Sequence, residues 1–185
     1  YNFQSRMQES SIAFKYFLGN QQAAQGFIET MKDFAAVTPF TTQTALQESQ
    51  KLMAMGFQPT QVKSVMQILT DTAAASGATS EQIDRIVLAL GQMHAKAKLS
   101  SQELRQLAEA GIPAYKILQD QLGLTQKQME DIGKLGITGD KAVTAILQGL
   151  QKRYKGASQE IANTNYGIMS TIKDDLLIVG EQIMK

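Results

Sequence analysis

The sequence predicts an all-α protein, and three observations carry that expectation. Apolar residues recur at steps of three and four through most of the chain, the spacing that gathers them on one face of a helix. No segment alternates apolar and polar residues with period two, as a half-buried strand would. The stripes are punctuated by glycines, prolines and Ser/Thr residues three before Glu or Gln, the local chemistry that stops one helix and starts the next. The architecture expected is a compact multi-helix head whose N- and C-terminal helices pair as an antiparallel, coiled-coil-like stalk.

At the N-terminus, Phe3, Met7, Ser10, Phe14 and Phe17 fall at alternating gaps of four and three, a coiled-coil-like spacing. Gly19 and Asn20 interrupt it, and Phe27, Ile28, Met31 and Phe34 form a second stripe. Thr38, Pro39 and Phe40 force an extended turn, because proline disfavours helical geometry in the residue before it. From Thr41 or Thr42 a helix runs to about Met55, with Ala45, Leu46, Ser49, Leu52 and Met53 inward. Gly56 ends it and Pro59 opens the next. Val62, Val65, Met66, Leu69 and Ala73 then make the cleanest amphipathic pattern in the chain, which stops at Ser76 and Gly77.

The densest punctuation lies between Thr79 and Leu118. Thr79 with Gln82 reads as a capping box, opening a helix whose Ile86, Val87, Leu90 and Met93 share a face and which is expected to stop near Leu99. Ser100 with Glu103 repeats the signature for a short second helix. Gly111 suits a left-handed helix end, and Pro113 opens a third helix bearing Tyr115, Ile117, Leu118 and Leu122, closed by Gly123. Thr125 with Gln128 restarts helix through Met129, Ile132 and Leu135 to Gly136. Another begins at Thr138 to Asp140 and places Val143, Ile146, Leu147, Leu150 and Tyr154 together before Gly156. From Ala157 onward Ile161, Asn165, Ile168, Ile172, Leu176, Val179 and Ile183 repeat at three or four, a second coiled-coil-like segment. Short turns between successive helices imply antiparallel neighbours. The organisation expected is an N-terminal helical arm over 1–36, a compact helical domain over 40–156 and a C-terminal helical arm over 157–185. If the two arms form the stalk, Phe14→Asp and Ile172→Asp each destabilise it.

Composition narrows the chemistry. With 185 residues, the chain can hold one domain with a substantial core. It has no cysteine, so disulfides and thiolate metal sites are excluded. Its 18 basic and 17 acidic residues leave a formal charge of +1, too little field to attract nucleic acid or anionic lipid. Only 19% of residues are charged, while glutamine is abundant and keeps helix surfaces polar without strong repulsion. The longest apolar run, around Ile86 to Leu90, is far short of a membrane span. The chain starts at Tyr1 with no charged-then-apolar leader, so a piece excised from a longer protein is expected.

No catalytic, cofactor or metal site is expected. His94 is the one histidine, and a zinc site needs three or four protein ligands; a structural or surface role fits it. The glycines of Gly133 to Lys141 do not match a phosphate loop and no buried strand precedes them. Asp174 and Asp175 are adjacent on a helix, point about 100 degrees apart and suit a solvated face. Gln102 to Asp120 has the outline of a helix-turn-helix, whose second helix would offer Lys116, Gln119 and Gln121 but also Asp120, with little phosphate-binding charge nearby. Met53, Met66 and Met93 fall on inner faces. Met55 and Phe57 sit at a helix end, where an exposed pair would mark a protein-contact site; Phe14 and Ile172, on the two arms, are the other contact candidates.

The wording of several segments closely resembles the N-terminal domain of phage tail tape measure proteins. The matching pieces are Leu88 to Pro113 (LALGQMHAKAKLSSQELRQLAEAGIP), Thr38 to Phe40, Leu52 to Phe57 and, more faintly, Tyr166 to Asp175, in one order across nearly all of the chain. The resemblance implies a non-enzymatic structural protein of a phage or prophage tail, whose long helical chain sets tail-tube length and is expelled during DNA delivery. It implies tail-tube, tail-tip and tail-assembly chaperone proteins as partners, self-association through the helical ends, and a place in the virion after assembly in the bacterial cytoplasm. The alternative reading is a helical regulatory or adaptor domain, with helix-turn-helix nucleic-acid binding as its sharpest form.

Overall fold

Local capping chemistry fixes most helix ends in the computed structural model, which describes residues 3–38 and 40–164. Among these are ten α-helices and a 3₁₀ turn, with no strand. The helices are α1 (Phe3–Leu18), α2 (Gln21–Ala36), α3 (Thr42–Ala54), α4 (Pro59–Ser76), α5 (Ser80–Ala95), α6 (Ser101–Glu109), α7 (Ala114–Leu122), α8 (Gln126–Glu130), α9 (Gly139–Tyr154) and α10 (Ala157–Ala162), with the 3₁₀ turn at Ile132–Lys134 between α8 and α9.

The chain reverses between α1 and α2 at Gly19, whose φ of +87° is left-handed and costs glycine little. Asn20 then accepts the Ala23 amide at 2.8 Å and caps α2. The two helices close as a hairpin in which the Phe14 and Phe27 rings meet at 4.8 Å. α3 packs across both. α5 lies against α3, α6 and α9, while α9 also meets α4 and α7. The buried side chains of all these helices form one continuous core, with Leu90, Met93, Leu104, Ile146 and Leu150 among those wholly excluded from solvent.

Several expectations are corrected. α5 ends at Ala95 rather than near Leu99, because Lys96 turns extended and the Leu99 amide donates to the Ile137 carbonyl at 2.8 Å instead of continuing the helix. A tertiary hydrogen bond thus replaces the last helical turn. Ser100 and Glu103 do not form the reciprocal box. The Ser100 hydroxyl donates to the Glu103 carboxylate at 2.6 Å, and Lys96 donates to the same group, which is buried. The helix expected through Leu135 breaks into α8 and the 3₁₀ turn, leaving Leu135 exposed. Phe14 is buried where α1 packs on α2 and α3, so pairing with the C-terminal segment is not what buries it. The other half of the expected stalk, Asn165 to Ile183, lies outside the described residues.

Candidate functional site

Two features stand out on this helical body: the point where the chain leaves α9, and the surface of α1. At the first, Gly156 adopts φ +91° and turns the backbone sharply from α9 into α10. Asp71, in the middle of α4 and buried, faces this turn. Its carboxylate accepts the Gly156 amide at 3.1 Å and the Ser158 amide at 3.0 Å, and also the Ser158 hydroxyl. Gln67, one turn earlier on α4, donates to the Ser158 hydroxyl at 3.1 Å and to Asp71 at 3.3 Å. A neighbouring helix therefore supplies the anionic cap that α10's own sequence lacks, satisfying amides a helix start leaves open. The result is a clamp that sets the direction in which the chain passes beyond Gly156.

A second latch gathers three elements around His94. Its Nδ1 lies 2.6 Å from the Asp140 carboxylate in the first turn of α9, its Nε2 lies 3.2 Å from the Gly56 carbonyl after α3, and its ring stacks on Phe57 at 4.4 Å. Next to it, Gly139 approaches the end of α5 so closely that a Cβ would stand 1.9 Å from the Met93 carbonyl oxygen. Only glycine permits that approach. His94 is thus a structural residue at a helix junction.

Buried charge is handled in two opposite ways. Burial pushes the Glu103 carboxyl up, but the hydrogen bonds from Lys96 and Ser100 and the Lys96 charge outweigh it and hold the group below the usual carboxylate range. At Glu48 burial wins over the Lys51 hydrogen bond, and the carboxyl is raised; its Oε2 has no hydrogen-bond partner. Burial pulls the Lys51 ammonium down, yet its hydrogen bonds to Asp84 and Glu48 more than offset that and raise it.

The four contact candidates are not brought together. Phe14 is fully buried, Phe57 is buried against His94, and Met55 is half-buried with its sulfur against Gly91; Ile172 lies outside the described residues. The exposed pair envisaged at Met55 and Phe57 is therefore not present. Exposed apolar side chains stand instead at Ile12 (58%), Tyr16 (83%) and Phe17 on α1. Ile12 and Tyr16, four apart, lie on the helix side away from Phe14. Their spacing was a readable signal, masked by the stronger Phe stripe beside it. On α7, Lys116 is ion-paired to Asp120 and Gln121 accepts from Lys152 at 3.0 Å, while Ile117 and Leu118 are buried. Two of the three side chains a recognition helix would offer are thus engaged.

No group of three or more acids or histidines able to hold a metal occurs among the described residues, and none of their helices is long and apolar enough to cross a membrane. Comparison with known proteins supplies the context. A family model described as "Tape measure protein" matches residues 2–185. The Mu-like prophage FluMu protein gp42 of Haemophilus influenzae is 29% identical over 168 residues, covering 89% of this chain and 26% of its own. The probable tape measure protein of Escherichia phage Mu is 26% identical over 159 residues, covering 86% and 23%. The chain thus spans about a quarter of the length of these relatives. No solved structure matches. With the family model covering nearly every residue, the chain belongs to the tape measure protein family.

Proposed function

We propose that this chain is the folded N-terminal head of a tape measure protein that sets tail-tube length and takes part in tail assembly and DNA delivery. The observation that carries the reading is the family match over residues 2–185, joined to a body whose described residues form helices, and no strand, around one core. A helical polymer measures length physically, since each residue adds about 1.5 Å. In this reading the head does not measure; it anchors the ruler, and the Asp71 clamp aims the continuing chain. The partners are tail-tube, tail-tip and tail-assembly chaperone proteins, and copies of the chain associate through their helical ends.

We propose further that the C-terminal arm beyond α10, which itself packs on α4, pairs with the outward face of α1, so that the stripe containing Ile168 and Ile172 covers Ile12 and Tyr16. This is the antiparallel stalk with its N-terminal face moved from Phe14 to the opposite side of the same helix. Ile172→Asp then lowers the melting temperature and Tyr16→Asp does so equally; no change in either sinks the pairing. For the head as a whole, a tail cluster expressing the parent gene without residues 3–164 yields few or no finished tails by electron microscopy. Normal numbers of tails of normal length would contradict it.

A further inference from the structure

The described residues end at Thr164, two positions beyond α10. α10 packs on α4, α4 on α3, and α3 on α1. The exposed face of α1 that carries Ile12 and Tyr16 is the side away from Phe14, which is buried where α1 meets α2 and α3. Packed helices stand about 8–10 Å apart, so a segment going from α10 to the far side of α1 passes four such spacings, about 32–40 Å. Ile168 lies four residues beyond Thr164, and four extended residues span at most about 14 Å. The start of the path is also fixed, because the Asp71 carboxylate holds the Gly156 and Ser158 amides against α4. An arm setting out from its own α10 therefore falls short of its own α1 by more than half of the path.

The length of the arm is otherwise adequate. As a helix, residues 165–185 extend about 31 Å, against about 24 Å for the 16 residues of α1. What is needed is an arm that starts nearer to that face, and a second copy of the chain supplies one. We propose that the outward face of α1 is covered by the C-terminal arm of a second copy, in a closed dimer that exchanges its two arms. A two-fold axis that lays one arm on the other copy's α1 does so twice, which leaves neither Ile12 nor Tyr16 in water. The inference rests on the stalk pairing proposed above and adds which chain provides the arm.

The chain has no cysteine, so introduced thiols report the pairing. Tyr16→Cys and Ile172→Cys chains, one of them affinity-tagged, are unfolded, mixed, refolded together and treated with a short bismaleimide; a chain carrying both substitutions is treated alone. The expected products are a covalent pair of the two different variants and, from the doubly substituted chain, a covalent dimer. Light scattering of the unsubstituted chain is expected to give twice its 20.3 kDa, and Ile172→Asp to halve that mass. A doubly substituted chain that links positions 16 and 172 within itself, at the mass of a single chain, overturns the exchange and leaves the stalk pairing standing. No link between the two positions in either arrangement overturns both.

Discussion

Asp71 and Ser158 stand 87 residues apart in sequence, yet the Asp71 carboxylate accepts both the amide, at 3.0 Å, and the hydroxyl of Ser158. That contact decides where the chain goes after α9, and its removal has a defined cost. Asp71→Ala leaves the Gly156 and Ser158 amides without their charged acceptor and is expected to destabilise the fold by about 1.5–3 kcal/mol in urea melts. Asp71→Asn keeps one acceptor oxygen and loses less. In both variants amide exchange at Ser158 speeds up before that of Leu150 in the core; unchanged exchange at Ser158 counts against the clamp.

Glycines in this fold divide into those that space requires and those it does not. Gly139→Ala drives a methyl into the Met93 and Lys96 carbonyl oxygens, backbone atoms that cannot step aside, and costs about 3 kcal/mol. Gly26 sits within α2 with open space around a built Cβ. Gly26→Ala is expected to stabilise by about 0.5–1 kcal/mol, the helical propensity difference. Thermal melts of the two variants should move in opposite directions.

The two buried glutamates also have opposite signs. Glu103 is held below its ordinary value of 4.5, so its ionised form favours folding; that stability is complete above about pH 4.5 and is lost as pH falls through the lower folded value. Glu103→Gln should therefore destabilise by about 1.5–3 kcal/mol at pH 7, with the deficit shrinking toward pH 3. Glu48 is raised above 4.5. The fold prefers its neutral form, and its contribution is lost as pH climbs through the raised value. Glu48→Gln should stabilise by about 1 kcal/mol at pH 7 and show little effect at pH 4. Melting temperatures of both variants across pH 3–8 check the signs.

What could be read from the sequence is what short-range chemistry determines. Thr79 and Gln82 form their capping box as their spacing implies, with bonds of 2.9 and 3.3 Å, because both partners lie within one helical turn. The apolar stripes likewise name most of the core residues, although Phe17, Tyr115 and Leu135 of those stripes are exposed. Periodicity does not say which element a stripe meets: the Phe14 stripe has the spacing of a coiled coil, but Phe14 is buried where α1 meets α2 and α3, and Phe17 of the same stripe is exposed. Nor does it reveal tertiary hydrogen bonds, so the end of α5, set by Leu99 and Ile137, and the Asp71 clamp were not legible. Phe57 at a helix end looked available for a partner; the ring of His94 covers it.

The central claim is that this head belongs to a molecular ruler, and tail length measures it most directly. In-frame deletions in the parent gene beyond Lys185 should shorten tails, seen by electron microscopy, by about 1.5 Å for each residue removed, while Asp71→Ala in the head changes how many tails form and not how long they are. Tails of unchanged length after such deletions would contradict the account.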